Sequence, residues 1–298
     1  MNFDELRWFV AVAETGRVTQ AADELHISQP ALSRALARMQ GELGVSLFDR
    51  QGRTLRLNRY GELYLEHARR TLAELEAGRR ALEQLAGDES GLVSLGFAPT
   101  LSTWLVPALV SAFREQHPGP RFQLHQDAVG QLVDLLHEGV ADLLICSRPG
   151  DTGLRWRALG SERLQLVVPP GHRLAGRRRV KLSEAAEERF VMLGHAFDFR
   201  ELVEDLCRRA GFEPESAFEA EDIASARALV GAGLGVAVVP PLHITGTELA
   251  RDARHLELSD PTAVRSIGIV WDERRYRSPA TELFHQFVLK HGHGLTSS

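Results

Sequence analysis

Cysteine is scarce in this chain, and long apolar runs are missing. Only two of the 298 residues are cysteine, Cys146 and Cys207, too few for a disulfide scaffold and too distant in sequence to suggest a redox-sensing pair. No stretch approaches the roughly 20 consecutive apolar residues that cross a bilayer. The first five residues lack a basic region followed by an apolar core, so a secretion signal is not expected. These features predict a cytoplasmic protein without a membrane partner.

Motifs for catalysis and cofactor binding are missing too. The sequence has no Gly-x-Ser-x-Gly elbow, no Walker loop and no histidine spacing typical of a metal site. Residues 231–235 superficially resemble a dinucleotide-binding loop, but they follow a predicted helix and precede a strand, the reverse of the Rossmann order. Residues 291–293, His-Gly-His, fall in a polar tail that we expect to be disordered. We therefore predict no enzyme activity, catalytic residue, cofactor or metal.

Charge is unevenly distributed along the chain. The formal net charge is −5, which by itself argues against a nucleic-acid partner. Residues 28–60, however, hold six arginines against two acidic residues, a local excess of four positive charges. Such a surface can bind phosphates, because affinity depends on the charges that face the duplex. A solvated basic face is the simpler interpretation of charge alone.

Apolar periodicity predicts two short helices at the start of the chain. The first runs over residues 3–14, with one apolar face, and Gly16 ends it. The second runs over residues 19–25, where Thr19 can act as the cap. Residues 26–27 then make a tight turn.

A third predicted helix follows this turn. Ser28 is a good N-cap, and Pro30 falls in the first turn, where a missing N–H costs little. One face is apolar, and the opposite face is small, polar and basic. Two short helices joined by a tight turn, the second with such a face, have the geometry that enters the major groove of DNA. A three-helix core without DNA contact is the simpler alternative.

Side chains near the start of the third helix suit the chemistry of DNA. The amide of Gln29 can pair with an adenine edge, and the carbons of Pro30 can rest on thymine methyl groups. Arg34 can reach a guanine or a phosphate, and Ser33 suits a phosphate oxygen. The predicted DNA-contacting residues are Thr19, Ser28, Gln29, Pro30, Ser33, Arg34, Arg38 and Arg53.

A β-hairpin is predicted directly after the third helix. Residues 47–50 have the pattern of a strand, residues 51–53 form a glycine-containing turn, and residues 55–58 alternate as a second strand. As a wing, this hairpin places Arg53 at its tip, within reach of the DNA backbone or the adjacent minor groove. Residues 1–60 are therefore predicted to form a winged helix-turn-helix domain.

These segments resemble the signature of LysR-type transcriptional regulators. The resemblance rests on three stretches over about fifty ungapped residues: Ala21-Ala22-x-x-Leu25-His26-Ile27, Ser28-Gln29-Pro30-Ala31-Leu32-Ser33-Arg34 and Leu43-Gly44-Val45-Ser46-Leu47-Phe48-Asp49-Arg50. The chain departs from the family pattern at Met39-Gln40-Gly41 and at Asn58, where threonine is usual. The resemblance implies an effector-responsive regulator that binds double-stranded DNA at an interrupted palindrome and can contact RNA polymerase.

A long linker helix is predicted over residues 60–87, which contain no proline. Steps of three and four place a heptad-like seam on one side, formed by Leu65, Ala68, Leu72, Leu75 and Leu82. Packing of this helix on its own domain is an alternative that the periodicity leaves open. The resemblance favours pairing, since the family dimerises through this helix, and we expect a homodimer or homotetramer. Residues 61–90 are assigned as the dimerisation helix and hinge.

Strands and helices alternate beyond the hinge. This pattern predicts a mostly parallel sheet covered by helices, arranged as two α/β lobes. The resemblance implies that residues 91–298 form an effector-binding domain of the type 2 periplasmic-binding-protein fold. We assign residues 91–163 and 267–296 to the first lobe and residues 164–266 to the second.

Loops between the two lobes are the candidate effector site. Ligands in such folds bind at the carboxyl ends of strands and at helix N-termini. Thr100 and Ser102 offer hydroxyl groups there, and Arg148 is the predicted counter-charge for a small anionic metabolite. The resemblance places the family's effector site in the same loops, and the predicted residues are Thr100, Leu101, Ser102, Arg148, His195, Phe197, Phe199 and Asp222.

Simpler interpretations stay open at this stage. Arg148 can form a surface ion pair, His195 can be an ordinary loop histidine, and Cys146 can be a buried small hydrophobic residue. For the whole chain, the alternative is a cytoplasmic small-molecule binding or carrier protein whose N-terminal helices serve assembly only. The basic hairpin and the groove-facing helix count against that alternative.

Overall fold

The computed structural model describes residues 2–52, 54–86, 91–194, 198–242 and 253–296. Three predicted site residues, Arg53, His195 and Phe197, lie outside the described residues. The chain divides into two compact units, an N-terminal one made mainly of residues 2–86 and a C-terminal one made mainly of residues 91–296. No helix of the described ranges is long and apolar enough to span a membrane.

The N-terminal unit contains the predicted three helices, hairpin and linker helix. Its elements are α1 (Phe3–Thr15), α2 (Val18–Glu24), α3 (Gln29–Leu43), β1 (Phe48–Gln51), β2 (Thr54–Leu57) and α4 (Arg59–Ala86). The strands β1 and β2 pair antiparallel, with Gly52 in the turn at φ +63°. The apolar faces of the helices meet in one core, in which Phe9, Leu32 and Met39 are completely buried.

The predicted helix caps are only partly correct. Gly16 does end α1, in the left-handed conformation at φ +63°. Thr19 is not the cap of α2, because the extended backbone of Arg17 starts that helix earlier and places Thr19 inside its first turn. Ser28 occupies the N-cap position of α3, but its side chain makes no capping hydrogen bond.

A buried carboxylate ties α1 to α3. Glu5 and Asn2 form a capping box, in which each side chain accepts a hydrogen bond from the backbone of the other. Glu5 also forms an ion pair with Arg38, whose Nε donates to Glu5 Oε1 at 3.0 Å. This hydrogen bond from Arg38 holds the pKa of Glu5 below its ordinary value despite the burial of the carboxylate. Arg38, predicted to contact DNA, is thus engaged in holding α3 against α1.

Asn58, which departs from the family pattern, caps the N-terminus of α4. Asn58 Oδ1 accepts hydrogen bonds from the backbone N–H groups of Tyr60 and Gly61, both at 3.0 Å, and its Nδ2 donates to Ser46 O at 2.9 Å. Gly61 passes so close to the hairpin that an added Cβ would meet Leu47 O at 2.1 Å. The helix therefore leaves the hairpin at a point where only glycine fits.

Three of the five predicted seam residues pack inside the N-terminal unit. Ala68 is buried in the core, and Leu65 and Leu72 pack against it, because α4 covers the side of α1 that the other helices leave open. Ala68 is thus used by its own domain, while Leu65 and Leu72 are only partly buried and remain predicted contacts of the pairing. Leu75 and Leu82 are 40% and 68% exposed. Packing of α4 on its own domain therefore accounts for Leu65, Ala68 and Leu72 but not for Leu75 and Leu82.

The C-terminal unit alternates strands and helices in its first part and contains runs of successive strands further along. In chain order its elements are β3 (Leu92–Phe97), α5 (Leu105–Gln116), β4 (Arg121–Gln126), α6 (Val129–His137), β5 (Leu143–Cys146), β6 (Arg155–Arg163), β7 (Gln165–Val168), β8 (Arg179–Val180), β9 (Arg189–Leu193), α7 (Asp198–Arg209), β10 (Glu215–Ala220), α8 (Ile223–Gly231), β11 (Ala237–Val239), β12 (Arg254–Leu258), β13 (Val264–Trp271) and α9 (Pro279–Thr296).

Two separate hydrophobic cores define the predicted lobes. The first surrounds a five-stranded sheet of order β4-β3-β5-β13-β6, and the second surrounds β7, β9, β11, β12 and the helices beside them. The expected mostly parallel sheet is wrong for both lobes. β13 returns from the second lobe and runs antiparallel to β5 and β6, and β7 runs antiparallel to β11 and β12. The five-stranded and four-stranded sheets are therefore mixed, and the two-stranded sheet of β9 and β10 is parallel.

The chain passes between the lobes on two adjacent strands. The chain leaves the first lobe after Arg163, at the end of β6, and enters it again at Val264, the first residue of β13. Arg163 and Val264 are register partners in the sheet. The crossing predicted after residue 266 falls inside β13 and lies too late in the sequence.

The expected disordered tail is also wrong, because α9 includes residues 291–293. Gly292 packs so tightly there that an added Cβ would meet Leu159 Cδ2 at 2.8 Å.

Glu5→Gln should lower the free energy of unfolding of the N-terminal unit by about 1 to 2 kcal/mol at pH 7, because it keeps an acceptor and removes the ion pair. The folded-state pKa of Glu5 is depressed, so its contribution is full above the ordinary value of 4.5 and is lost as the pH falls below it. Urea unfolding at pH 7 and pH 3 measures this difference.

Glu14→Gln is the matched control, since Glu14 pairs with Arg69 on an exposed surface and should cost less. An equal loss for Glu5→Gln at both pH values would contradict the assigned role of its charge.

Candidate functional sites

A polar groove runs along α3 beside the hairpin. The groove lies within the N-terminal unit, and its polar lining consists of Arg17, Thr19, Gln29, Ser33, Gln40, Ser46, Arg50 and Thr54. The structure thus brings three predicted DNA-contacting residues together: Thr19, Gln29 and Ser33. Arg17 and Arg50 were not predicted. Arg17 precedes α2 directly after the glycine that ends α1, and Arg50 lies opposite Leu55 on the hairpin.

Gln29 and Ser33 share one exposed turn of α3. Gln29 Nε2 donates a hydrogen bond to Ser33 Oγ at 2.8 Å. A glutamine amide has two N–H donors and one carbonyl acceptor. In the described ranges only one donor is engaged, so the acceptor and the other donor remain, the pair that an adenine edge requires.

The other predicted residues of α3 lie outside the lining of this groove. Ser28, Pro30 and Arg34 are exposed. Arg38 is held by Glu5. The polar and basic face predicted for α3 is therefore present on the surface, and Arg38 on it is both exposed and paired with Glu5.

A second cavity, of about 340 Å³, lies in the C-terminal unit between its two lobes. We call it the cleft. Of the predicted effector residues that the structure describes, Thr100, Ser102, Phe199 and Asp222 line the cleft. The volume is in the range of small-molecule binding sites.

Two predicted effector residues point elsewhere. Leu101 is buried in the core of the first lobe, because the 3-10 turn Pro99–Leu101 rotates it inward. Arg148 is exposed, and its guanidinium lies 5.8 Å from the ring centroid of Trp156 on β6 rather than in the cleft. The counter-charge predicted from Arg148 is therefore not found there.

Hydroxyl groups in the cleft are partly used by the protein. Ser102 Oγ donates to Pro99 O at 2.8 Å and closes its own turn. Thr100 Oγ1 accepts a hydrogen bond from Arg265 Nη1 at 2.6 Å. Arg265 forms a buried ion pair with Glu162, its neighbour across β13 and β6. Its guanidinium also lies 5.5 Å from the ring centroid of Phe199 in the second lobe. Arg265 therefore touches both lobes at the cleft.

Arg227 is a second buried cation in the lining. It is 8% exposed, and its Nη2 donates to Pro240 O at 2.7 Å. Burial lowers the pKa of Arg227, and the negative charge of Glu162 opposes this effect. Its Nε has no hydrogen-bond partner within the described part of the chain. An arginine in the otherwise small and apolar segment Ala226–Val230 is the sequence signal that could have identified it.

Carboxylates also line the cleft. Asp222 Oδ1 caps α8 by accepting from Ser225 N at 2.7 Å. Asp198 of the second lobe accepts a hydrogen bond from the hydroxyl of Ser147 in the first lobe. Glu221 and Asp222 are exposed, and Asp198 is half-buried. The lining therefore carries both signs of charge, with cations buried and anions nearer solvent.

Both cysteine thiols are protonated at neutral pH. Burial raises the pKa of the Cys146 thiol far above its ordinary value. Burial, with a smaller contribution from Glu204, raises the pKa of Cys207 to about 12. Because the thiolate is the reactive form, Cys146 behaves as a buried small hydrophobic residue.

Comparison with known proteins identifies the family. The model of the bacterial regulatory helix-turn-helix protein, lysR family, matches residues 3–62, and the LysR substrate binding domain matches residues 86–292. The chain is 38% identical to the uncharacterized HTH-type transcriptional regulator YybE of Bacillus subtilis (strain 168), over 98% of this chain and 99% of that protein.

Two solved structures are similar to the chain. One is CbnR, a LysR family transcriptional regulator, with 25% identity, a TM-score of 0.71 and coverage of 98% of this chain and 99% of that one. CbnR has also been solved with its target DNA. The other is the effector binding domain of QuiR in complex with shikimate, with 25% identity, a TM-score of 0.64 and coverage of 68% and 98%.

The two family models cover both units of the chain. Members of this family regulate transcription and are not enzymes. The winged helix-turn-helix and the two-lobed domain with its cleft are the parts that these models describe. The chain belongs to the LysR family of DNA-binding transcriptional regulators.

Proposed function

We propose that the chain binds double-stranded DNA as a homodimer or a dimer of dimers, and that a small molecule in the cleft controls its regulatory output. The observation that carries the DNA-binding part is the exposed turn of α3, where Gln29 and Ser33 lie in a groove with Arg17 and Arg50. The family assignment supports this function and not that of a small-molecule carrier.

The groove separates two kinds of DNA contact. Gln29 reads a base edge, because its amide keeps one donor and the acceptor for an adenine. Arg17 and Arg50 bind phosphates, which position α3 without reading sequence. Arg34 and Arg53 remain predicted contacts on the exposed face of α3 and at the hairpin tip.

Dimerisation depends on the second half of α4. Leu75 and Leu82 are exposed apolar residues at heptad spacing, whereas Leu72 is partly buried against the core of its own unit. A two-fold dimer reads two half-sites, which favours an interrupted palindrome as the operator. Such a regulator acts in the cytoplasm, where it can reach both DNA and RNA polymerase.

The test of this function is a gel shift with DNA from beside the chain's own gene, at a fixed salt concentration. We expect one shifted complex that competitor DNA of random sequence does not displace at equal concentration. Binding no tighter than to random DNA would contradict a sequence-specific regulator.

Gln29→Ala should weaken binding to the operator by about 1 to 3 kcal/mol and leave binding to random DNA unchanged, because it removes one base contact. Fluorescence anisotropy on both DNAs measures the two affinities. Gln20→Ala on the exposed face of α2 is the control and should bind as the wild type does. An equal loss on both DNAs would show that Gln29 does not read a base.

Arg50→Ala should weaken binding to all sequences and reduce the slope of log affinity against log salt by about one, because one phosphate contact releases about one counterion. Anisotropy titrations over a series of salt concentrations give the slope. Arg178→Ala, in the C-terminal unit and 93% exposed at its side chain, is the matched control. An unchanged slope for Arg50→Ala would place the hairpin away from the DNA backbone.

Leu82→Asp should dissociate the dimer without destabilising the N-terminal unit, because it places a charge in the exposed half of the seam. Leu63→Asp is the control, since Leu63 is 60% exposed on α4 but lies off the seam. Sedimentation velocity measures the mass, and circular dichroism measures the helix content. A wild-type mass for Leu82→Asp would refute dimerisation through this half of α4.

A further inference from the structure

The buried side of the cleft carries an excess of positive charge. Arg227 and Arg265 are both more than nine-tenths buried, and among the described residues the carboxylate buried with them is that of Glu162. Nearby His255 adds no charge at neutral pH, because burial and the field of Arg227 lower its pKa to about 4. The cluster of Arg227, Arg265 and Glu162 therefore has a net charge of about +1.

The excess positive charge is that of Arg227, since Glu162 is ion-paired with Arg265. Glu162 also acts on the pKa of Arg227, so one buried carboxylate serves two buried arginines. An excess of buried charge is costly unless a further counter-charge reaches it. The side chain of Arg227 lines the cleft, and its Nε is unpartnered among the described residues. A ligand carboxylate is the group that a planar guanidinium binds best.

The outer side of the same cleft is negative. Asp198, Glu221 and Asp222 line it, and each is more exposed than the two arginines. Asp222 is the N-cap of α8 and Arg227 lies five residues later, about 7.5 Å along the helix axis. Helical side chains lean toward the N-terminus, which brings the guanidinium back toward Asp222. Charges of opposite sign therefore line the same small cavity.

We propose that the effector is amphoteric: a small α-amino acid whose carboxylate binds Arg227 and whose ammonium group binds Asp222 and Asp198. This inference rests on the proposed function and names the ligand class of the cleft. A purely anionic ligand would satisfy Arg227 but meet three carboxylates nearer solvent, and a simple amine would leave Arg227 uncompensated. Apolar lining residues, Trp104, Leu193 and Pro240 among them, accommodate the ligand's side chain.

The test is thermal unfolding of the full-length protein with each of the twenty common L-amino acids. Every amino acid that stabilises the protein is then compared with its deaminated acid and its decarboxylated amine, which keep the side chain and lose one charge. We expect the unfolding temperature to rise by about 5 to 10 °C at about 100-fold excess over Kd for the amino acid. Neither analogue should produce this rise at the same concentration.

Two variants separate the two ends of the ligand. Arg227→Met should abolish the rise, while the unfolding temperature of the free protein stays the same or increases, because an excess of buried positive charge is removed. Asp222→Asn keeps a good helix cap and should weaken amino-acid binding about tenfold or more. Arg148→Met is the control outside the cleft and should respond as the wild type does.

Three outcomes would overturn the proposal: no amino acid stabilises the wild type, the deaminated acid or the amine binds as well as the amino acid, or Arg227→Met keeps the full response. If Arg227→Met does not fold, the comparison of ligand analogues on the wild type decides. A ligand of another class that binds the cleft, together with intact operator binding, would leave the proposed function standing and remove only this inference.

Discussion

The buried ion pair between Arg265 and Glu162 is the constraint on which the C-terminal unit depends. Its two residues are register partners on β6 and β13, the strands on which the chain passes from one lobe to the other. The pair is almost completely removed from water, so loss of either partner would leave a costly buried charge. Arg265 also donates to Thr100 and stacks on Phe199, so one side chain fixes the crossing strands and the lining of the cleft together.

Local signals in the sequence were sufficient for the N-terminal fold. Gly16 ends α1, the turn before Ser28 separates α2 from α3, and Gly52 turns the hairpin, and each acts through the residues beside it. Two predictions there concern side chains with more than one candidate partner. Arg38 had two candidate partners, DNA and the buried Glu5, and Leu72 had two, a second helix and its own core. Periodicity shows that a face will be covered but cannot show by what.

The candidate effector site was harder to predict, because its charges come from distant parts of the chain. Arg148 follows a strand end and so had the expected position, yet its guanidinium packs on Trp156. Arg265 reaches the cleft only because β13 returns from the second lobe beside β6, and Arg227 only because α8 directs a buried side chain into the cavity. Neither pairing is local, and no short motif encodes it. Thr100 and Asp222 were predictable, since they flank turns and helix starts.

The cleft combines rigidity with an unsatisfied group, and this combination suits a sensor. Arg265 donates to Thr100, forms an ion pair with Glu162 and lies against Phe199, so it ties the crossing strands to the lining of the cleft. Arg227 keeps an unpartnered Nε among the described residues, and the Ser147–Asp198 hydrogen bond spans the lobes with an acceptor that a ligand cation can take over. A ligand shifts a conformational equilibrium only by binding one state better than another. Because Asp198 and Arg227 both belong to the second lobe while Ser147 belongs to the first, a ligand that binds these two residues replaces a contact between lobes with contacts to itself. With the proposed ligand, occupancy of the cleft would be coupled to the contact between the lobes.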